Sequence, residues 1–393
     1  MNRTQLLMVS GVLMMTTLGT PAITANAAGQ NDAEAHARRV LDQMIADGDT
    51  PGLQYLFVSA DAVLYSHHAG MANLVDRVPV TDRTTFNAYS VVKTFTAAAI
   101  LKLVEQGKLE LDQPIAKYLD RFPYDKSPTL RETLSHTGGF PNPIPLSWVH
   151  LADEHAAFDR QKFLNDVLAE NPKLKSEPGE KYAYSNVGYL LLGAVIEKVS
   201  GQSYTDYVEQ QLIRPLALRD GEALAFTIAQ PQTHARGTIE RWSLLNAVLG
   251  FFIDRDRFLE GQSGRWRQFR NFHANGDAYG GLIGNARGFA RYLQAWLAPD
   301  KPLSPASREL LFAPAHTRDG AALPRSVGWQ IGSLHGETYY AHSGGAAGYY
   351  CEIRLYPRLQ RASVVMLNRT AARPLHLLDR IDEGFVQGLA AKR

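Results

Sequence analysis

Strand-like segments occur near both ends of the 393-residue sequence, and a long segment of mostly helical pattern separates them. Near the start, residues 52–59 and 62–68 are two short runs joined at Ala60-Asp61, which is typical of an antiparallel hairpin. Four more strand-like runs occur near the end: 327–333, 337–342, 349–356 and 362–367. The simplest architecture pairs both groups in one antiparallel sheet, so the helical middle becomes a second domain.

Helical patterns predict most of the remaining elements. Towards the two ends of the chain, residues 32–47 and 374–389 are predicted to be helices. The helices predicted between the two groups of strands are 90–106, 129–136, 159–170, 187–199, 204–213 and 286–297. Asn285 is a suitable N-cap for the last of these, and Ser304 followed by Pro305 begins a further helix.

These elements predict an α/β fold of the α+β type, in which terminal helices flank an antiparallel sheet and a mostly helical second domain is attached. The sheet subdomain comprises residues 28–80 and 315–393, and the helical subdomain comprises residues 81–314. Apolar residues make up 45% of the sequence, which is enough for a large core and argues against disorder.

Charge and cysteine content exclude several classes of protein. The 41 Lys and Arg residues against 39 Asp and Glu residues provide no field that would attract nucleic acid. Cys351 is the only cysteine, which excludes an internal disulfide and a thiolate metal site, and its alternating surroundings predict a buried strand position. The histidines within 67–68 and 153–155 are better explained as surface residues than as metal ligands. We expect no metal and no cofactor.

The N-terminus has the pattern of a secretory signal peptide. Arg3 precedes an apolar stretch at 6–18, and residues 25–27 (Ala-Asn-Ala) form a small-x-small cleavage site. A membrane anchor is the alternative, but polar residues interrupt the apolar stretch and keep it below spanning length. Cleavage after Ala27 makes residues 1–27 the signal peptide and leaves no stable membrane span, which predicts a bacterial periplasmic or secreted protein.

Ser90 and Lys93 form the only Ser-x-x-Lys in the sequence, at the start of the predicted helix 90–106. Residues three apart on a helix share one face. A partly desolvated lysine can remove the proton of a serine hydroxyl at neutral pH, and the helix N-terminus adds positive potential. The pair therefore predicts a nucleophile with its base. The alternative is a capped helix with a solvated lysine.

Tyr184-Ser185-Asn186 is the only Tyr-x-Asn in the sequence, and it lies just before an apolar helix, where a loop can direct both side chains into a cleft. A tyrosine between two cationic groups loses its proton more easily than a tyrosine in water. The asparagine can hold a lysine amine with its carbonyl and a substrate carbonyl with its amide. The alternative is a turn with a helix-capping asparagine.

His342-Ser343-Gly344-Gly345 ends a predicted strand, and we assign these four residues to substrate binding. The glycines would let a substrate backbone approach the edge of the sheet. The amide of Gly345 would form an oxyanion hole together with the amide of Ser90. Two other His-x-Gly tripeptides occur in the chain, but the order along the sequence and the strand context favour this one.

The order Ser-x-x-Lys, Tyr-x-Asn and then [Lys/His]-x-Gly resembles the serine beta-lactamase and penicillin-binding-protein superfamily. The tyrosine of the middle motif is similar to that of its class C and esterase/DD-peptidase branch. Residues 134–139, 178–184 and 280–283 also resemble family landmarks, so the resemblance extends from about residue 33 to the C-terminus. It implies a beta-lactamase/transpeptidase-like fold.

The resemblance also implies a role for each motif. Ser90 is the acylated nucleophile, and Lys93 deprotonates it. Tyr184 passes the proton to the leaving group and activates water for deacylation. Asn186 positions the substrate carbonyl, and His342 completes a positive rim around the site.

The implied activity is that of a serine hydrolase acting through an acyl-enzyme on a small molecule or peptide with an ester or amide carbonyl. Lactamases of this branch usually carry lysine where His342 stands, and histidine is only partly charged at pH 7. This difference favours an esterase or D-alanyl peptidase over a beta-lactamase. A catalytically inactive protein that binds cell-wall peptides is an alternative of another class, and the oligomeric state is left open.

Residues 222–275 match no family landmark. They contain many apolar residues between Trp242 and Ile253, followed by five arginines between Arg255 and Arg270. One interpretation is an additional helix packed on the helical domain, with the arginines in solvent. The other is a lid over the cleft that selects the substrate.

Overall fold

The structure of the protein, a computed structural model, describes residues 21–143, 145, 147–299, 301–369 and 377–391. Its β-strands are β1 (Gly52–Ser59), β2 (Val63–Asn73), β3 (Val78–Pro79), β4 (Phe86–Asn87), β5 (Val149–Leu151), β6 (Leu224–Ala225), β7 (Thr238–Glu240), β8 (Leu259–Ser263), β9 (Trp266–Phe269), β10 (Phe272–Ala274), β11 (Ile283–Gly284), β12 (Gln330–Leu334), β13 (Glu337–Ala346), β14 (Tyr349–Tyr356) and β15 (Arg361–Leu367). Seven of them form the main sheet, in the order β12-β13-β14-β15-β1-β2-β3.

The main sheet joins the two ends of the chain. Strand β1 pairs antiparallel with β15 on one side and with β2 on the other, so that Leu53 lies opposite Leu367 and Ala69. The hairpin formed by β1 and β2 is therefore extended by the four strands near the C-terminus. The predicted antiparallel sheet is confirmed, and with it the α+β fold.

The α-helices are α1 (Pro21–Ala46), α2 (Val92–Glu105), α3 (Leu130–Leu134), α4 (Arg160–Glu170), α5 (Asn186–Ser200), α6 (Tyr204–Val208), α7 (Leu244–Leu249), α8 (Arg255–Phe258), α9 (Asp277–Gly280), α10 (Ala286–Leu297), α11 (Pro305–Phe312) and α12 (Leu377–Ala390). Helices α1 and α12 cover one face of the main sheet, where the ring of Phe385 stacks on that of Phe57 with 4.3 Å between centroids. This packing buries the apolar sides of both terminal helices.

The opposite face of the sheet carries the helical subdomain. Helix α10 lies against this face, and the ring of its Tyr292 stacks on Phe95 of α2 with 3.9 Å between centroids. Helix α2 is almost completely buried and contacts α5 and α9, so it forms the centre of the subdomain. Its amino end is thereby held beside β13 of the main sheet, and this contact positions the site described below.

Several smaller predictions are confirmed. The side chain of Asn285 caps α10 by accepting a hydrogen bond from the amide of Gly288. Ser304 caps α11, and Pro305 is its first residue. Cys351 is buried on β14.

A search of the described ranges finds no helix with both the length and the apolarity that a membrane crossing requires, and no group of side chains suited to a metal ion.

Other boundaries differ from the predictions. Helix α1 begins at Pro21 rather than at residue 32, and it includes the proposed cleavage site at residues 25–27. The predicted helix 204–213 is α-helical only to Val208 and continues as a π-helical turn, Glu209–Ile213. The apolar stretch at 6–18 lies outside the described residues, as do positions 374–376 of the predicted final helix.

The segment 222–275 is not the additional helix considered above. It contains a separate antiparallel sheet of β7, β9 and β8, in that order, and only the short helices α7 and α8. Strand β10, at the end of this segment, pairs with β5 outside the segment. The segment therefore folds as a small β-structured unit, and it lies against the cavity that contains Ser90.

Candidate active site

The predicted nucleophile lies at the amino end of the central helix. Residues Tyr89–Val91 form a 3-10 turn that leads directly into α2, so Ser90 sits at the positive end of the helix dipole. Tyr89 adopts a left-handed backbone conformation, with φ of 47°, which is costly for a bulky residue. Its buried ring packs against Tyr349 of β14, with 6.3 Å between centroids, and this contact helps to hold the strained turn in place.

The amine of Lys93 is fully buried and makes three polar contacts. Its Nζ lies 3.0 Å from Ser90 Oγ, 2.9 Å from Asn186 Oδ1 and 2.8 Å from the carbonyl oxygen of Tyr279. None of these three groups carries a negative charge. Burial therefore lowers the pKa of Lys93 well below its usual value of 10.5.

These contacts suit a neutral amine. The oxygens of Asn186 and Tyr279 can only accept hydrogen bonds, so they take the two N–H groups of a neutral amine. The remaining lone pair of the nitrogen is then available to accept a hydrogen bond from the hydroxyl of Ser90, which lies 3.0 Å away. This is the arrangement that a general base needs.

Tyr184 contacts the nucleophile as well. Its hydroxyl donates a hydrogen bond of 2.7 Å to Ser90 Oγ, and the centroid of its ring lies 5.0 Å from Lys93 Nζ. Burial raises the pKa of Tyr184 well above its usual value of 10, so the phenol keeps its proton at neutral pH. The expectation of an easily ionised tyrosine between two cations is wrong, because burial also favours the neutral forms of Lys93 and His342.

The loop that carries Tyr184 and Asn186 is held by the segment 134–139. The amide of Ser185 donates a hydrogen bond of 3.1 Å to Nδ1 of His136, and the ring of His136 lies 4.4 Å from that of Tyr184. Burial lowers the pKa of His136 well below its usual value, so the ring stays neutral and its Nδ1 can accept this hydrogen bond. The hydroxyl of Ser185 caps α5, which fixes the direction in which Asn186 leaves the loop.

Strand β13 forms another wall of the site. Its residues His342, Ser343 and Gly345 line the cavity that contains Ser90 and Asn186. Gly345 is exposed and lines the cavity together with Ser90, and the role of its amide in an oxyanion hole stays a prediction.

Gly344 has a different role from the one predicted. A Cβ atom built on it would lie 2.1 Å from the carbonyl oxygen of Ala88 and 2.6 Å from the amide nitrogen of Ser90. Only a residue without a side chain allows the strand to approach the nucleophile turn so closely. Gly344 therefore sets the distance between β13 and the turn, and it is not among the residues that line the cavity.

The predicted positive rim at His342 is not supported by its surroundings. The side chain is buried, which lowers its pKa to about 3, so it is neutral at pH 7. The half-buried side chain of Arg325 supplies a positive charge near His342. Its guanidinium lies 4.1 Å from the ring centroid of Tyr182, and its charge disfavours protonation of His342.

The structure thus brings Ser90, Lys93, Tyr184 and Asn186 into direct contact, as the sequence predicts. Sequence reasoning missed three other contributors: Arg325, the support from His136 and the carbonyl of Tyr279. Two of these lie in or next to landmarks noted in the sequence, at 134–139 and 280–283. No motif pointed to Arg325.

The comparison with known sequences identifies one family. A family profile described as Beta-lactamase matches residues 37–384. Penicillin-binding protein 4* of Bacillus subtilis is 26% identical over 311 residues, which are 78% of this chain and 66% of that protein. Protein flp of Staphylococcus aureus is 30% identical over 193 residues, 47% of this chain and 37% of that protein. The chain therefore spans about two thirds of one curated relative and less than two fifths of the other.

Solved structures share the fold. The octameric penicillin-binding protein homologue from Pyrococcus abyssi superimposes with a TM-score of 0.71 at 24% identity, covering 90% of this chain and 77% of that one. The D-amino acid amidase from Ochrobactrum anthropi SV3, complexed with D-phenylalanine, superimposes with a TM-score of 0.70 at 17% identity. This match covers 92% of this chain and 100% of that one. Both similarities concern the overall fold.

Proposed function

The chain belongs to the beta-lactamase family, and from that premise we propose that it is a serine hydrolase that forms an acyl-enzyme on Ser90. The main support for this proposal is the hydrogen-bonded row that links Tyr184, Ser90 and Lys93 through their side chains. In this row, the amine of Lys93 is buried among uncharged partners. A solvated lysine near a capped helix would have an ordinary pKa. The lowered pKa makes Lys93 a base at neutral pH.

The proposed acylation moves one proton along this row. Lys93 takes the proton of Ser90 while Oγ bonds to the substrate carbonyl carbon, and the amides of Ser90 and Gly345 stabilise the oxyanion. Tyr184, which holds its proton at neutral pH, gives it to the leaving oxygen or nitrogen as that bond breaks. The ammonium of Lys93 then returns a proton to Tyr184, which leaves both groups as they began.

Deacylation follows the same route in reverse. Water replaces the departed group, loses a proton to the neutral Lys93 by way of Tyr184, and attacks the acyl carbon. The carboxylic acid leaves, and Ser90 regains its proton. Tyr184 acts in both halves as a proton donor and relay, because its raised pKa makes a standing phenolate unfavourable.

We propose carboxylic esters and amides as substrates, in the manner of an esterase or D-alanyl peptidase, ahead of beta-lactams. His342, neutral at pH 7, differs from the charged lysine that the lactamases of this branch usually carry at this position, and this difference supports the ranking. The D-amino acid amidase that shares the fold was also solved with L-phenylalanine amide, which supports an amide substrate. Export to the periplasm or medium is part of the proposal, and N-terminal sequencing of the secreted protein should begin at Ala28.

The deciding experiment is covalent labelling. Incubation with a fluorophosphonate should add one probe mass, and peptide mapping should place it on Ser90. Ser90→Ala should lose the adduct, and Ser66→Ala, a change on the exposed side of β2, should keep it. Rates on a short p-nitrophenyl ester, a D-Ala-D-Ala peptide and nitrocefin then rank the substrate classes. Full turnover by Ser90→Ala would end the proposal, and saturable binding with no adduct or product would favour an inactive binding protein.

A further inference from the structure

The cavity beside Ser90 has a volume of about 450 Å³ and two chemically distinct ends. The polar end holds Ser90, Tyr184, Asn186 and His342. The other end has apolar walls that include Trp148, Ile239, Leu249, Ile253, Phe258 and Phe272. A cavity of this size with few polar groups is typical of a site for a small organic ligand.

Most of the apolar wall comes from the segment 222–275, which the family motifs do not explain. This segment is fastened to the main sheet rather than left loose over the cleft. The amide of Thr238 donates a hydrogen bond of 3.0 Å to the carbonyl oxygen of Asn368, the residue that follows β15, and the hydroxyl of Thr238 donates one of 2.6 Å to the same oxygen. Gly237 lies so close to β14 that an added Cβ would be 2.6 Å from the ring of Tyr349. These contacts fix the wall to the main sheet, and it forms one side of the cavity that contains Ser90.

Aromatic rings connect this wall to the nucleophile turn. Phe269 contacts Phe272 at 5.7 Å between centroids, Phe272 contacts Tyr349 at 6.0 Å, and Tyr349 contacts Tyr89 at 6.3 Å. A ligand group placed in the apolar end would thus touch surfaces that are continuous with the residue preceding Ser90.

The direction of β13 shows which part of a substrate enters the apolar end. The strand runs from His342, near Tyr184, through Gly345 to the turn at Ala347, and each strand residue advances the chain by about 3.3 Å. The leaving group must lie near Tyr184, because this residue supplies its proton. The apolar wall lies at the opposite end, where a Cβ on Gly237 would be 2.9 Å from the carbonyl oxygen of Ala347. The acyl side therefore faces the apolar wall.

We infer that the cavity receives an uncharged, bulky apolar acyl group, either aromatic or a medium-length aliphatic chain, as in phenylacetyl and octanoyl esters or amides. This inference rests on the proposed acyl-enzyme function and names its substrate class. Each methylene group that moves from water into an apolar site increases the binding affinity about fourfold. A charged acyl group would lose its hydration against these walls without gaining a partner.

The test compares p-nitrophenyl esters of acetic, butyric, octanoic and phenylacetic acid, all with the same leaving group and below their aggregation concentrations. The kcat/KM should rise about fourfold for each added methylene until the cavity is full. A second series, acetate esters of short and long alcohols, varies only the leaving group and should change far less. A steeper rise in the alcohol series than in the acyl series would overturn the assignment.

A pair of tryptophan substitutions separates the cavity from the outer surface of the same segment. Ile253→Trp fills the cavity at a partly exposed position and should lower the octanoate-to-acetate ratio of kcat/KM at least tenfold. Leu244→Trp lies on α7, where Leu244 is 80% exposed, and should leave this ratio unchanged. If Ile253→Trp does not fold, as judged by its thermal transition, the chain-length profile of the unaltered protein decides alone.

The outcomes distinguish the two proposals. Ester hydrolysis that depends on Ser90 but shows no preference for larger acyl groups overturns the acyl-pocket inference and leaves the hydrolase proposal standing. Hydrolysis that survives Ser90→Ala overturns both. A preference for octanoate that is lost in Ile253→Trp and kept in Leu244→Trp supports both.

Discussion

Gly344→Ala tests whether the close approach of β13 sets the geometry of the site. Ordinary contact with a Cβ atom begins near 3.4 Å, whereas the new Cβ would lie 2.1 Å from the backbone oxygen of Ala88. The strand and the nucleophile turn must therefore separate by about 1.3 Å. Both clashing groups, this oxygen and the amide nitrogen of Ser90, belong to the backbone, so no side chain can turn aside to relieve the contact.

The expected effect is large on activity and moderate on stability. A displacement of roughly 1 Å at a reacting centre can cost about 100-fold in rate, and here it separates the two amides that would bind the oxyanion. Overpacking of this kind destabilises by about 1–3 kcal/mol, which a thermal or urea transition would detect while the protein remains folded. We expect kcat/KM for p-nitrophenyl acetate and the rate of fluorophosphonate labelling to fall together.

Two matched substitutions control for the change from glycine to alanine. At Gly345, the added Cβ would lie 3.2 Å from a ring atom of Tyr350, a much milder approach than the 2.1 Å at Gly344, so we expect a smaller loss than at Gly344. At Gly388, on α12, no atom lies within 4 Å and activity should not change. The reasoning is refuted if Gly344→Ala keeps unaltered kcat/KM and labelling, because the approach of β13 would then not control the site.

Four further outcomes follow from charge and proton transfer. Tyr184→Phe should lower kcat/KM for amides by about 100-fold or more. The kcat/KM for p-nitrophenyl esters, which reports acylation, should fall far less, since nitrophenolate leaves without a proton. The kcat/KM should rise with pH and level off well below pH 10, because the buried Lys93 loses its proton in that range. Asn186→Asp would replace Asn186 Oδ1, which lies 2.9 Å from Lys93 Nζ, by a carboxylate oxygen, and the rise in kcat/KM should then move to higher pH. Arg325→Ala should reduce rates on carboxylate-bearing peptides about tenfold relative to neutral esters. Burial lowers the pKa of His234 to about 3, so as the pH falls below 6.5 this side chain binds a proton in the unfolded chain before it does so in the folded protein. The free energy of unfolding from urea titrations should therefore fall between pH 6.5 and 3, by about 1 kcal/mol per pH unit for each such buried histidine. An unchanged free energy of unfolding at pH 5 would contradict this.

Local chemistry made much of the fold predictable from the sequence. The cap at Asn285, the start at Pro305 and the alternating strands near the C-terminus are properties of a few neighbouring residues, and all appear in the structure. The motifs containing Ser90 and Tyr184 were recognisable for a related reason, because the chemistry requires specific side chains at fixed spacing. Their convergence, in contrast, depends on helix packing that no local pattern encodes.

The segment 222–275 shows where local reasoning fails. Its apolar residues around α7 have a helical pattern, but most of the unit is held by strand pairing between residues far apart, such as Ile239 opposite Arg267. Non-local pairing of this kind depends on partners that the periodicity of either strand does not identify. The close contact of Gly237 with Tyr349, which fixes the unit to the main sheet, likewise has no signature in the sequence.

Burial lowers the pKa of Lys93, which agrees with the partly desolvated base predicted from the sequence. The easily ionised Tyr184 and the positive rim at His342 were mispredicted, because the charge states of these side chains depend on burial and not on residue type alone. The third partner of the lysine is the backbone carbonyl of Tyr279, and a carbonyl can be supplied by any residue type. The fold thus makes a base by surrounding an amine with neutral acceptors. A carboxylate in place of the Asn186 amide would favour the protonated form of Lys93, so that this amine could take the proton of Ser90 only at higher pH.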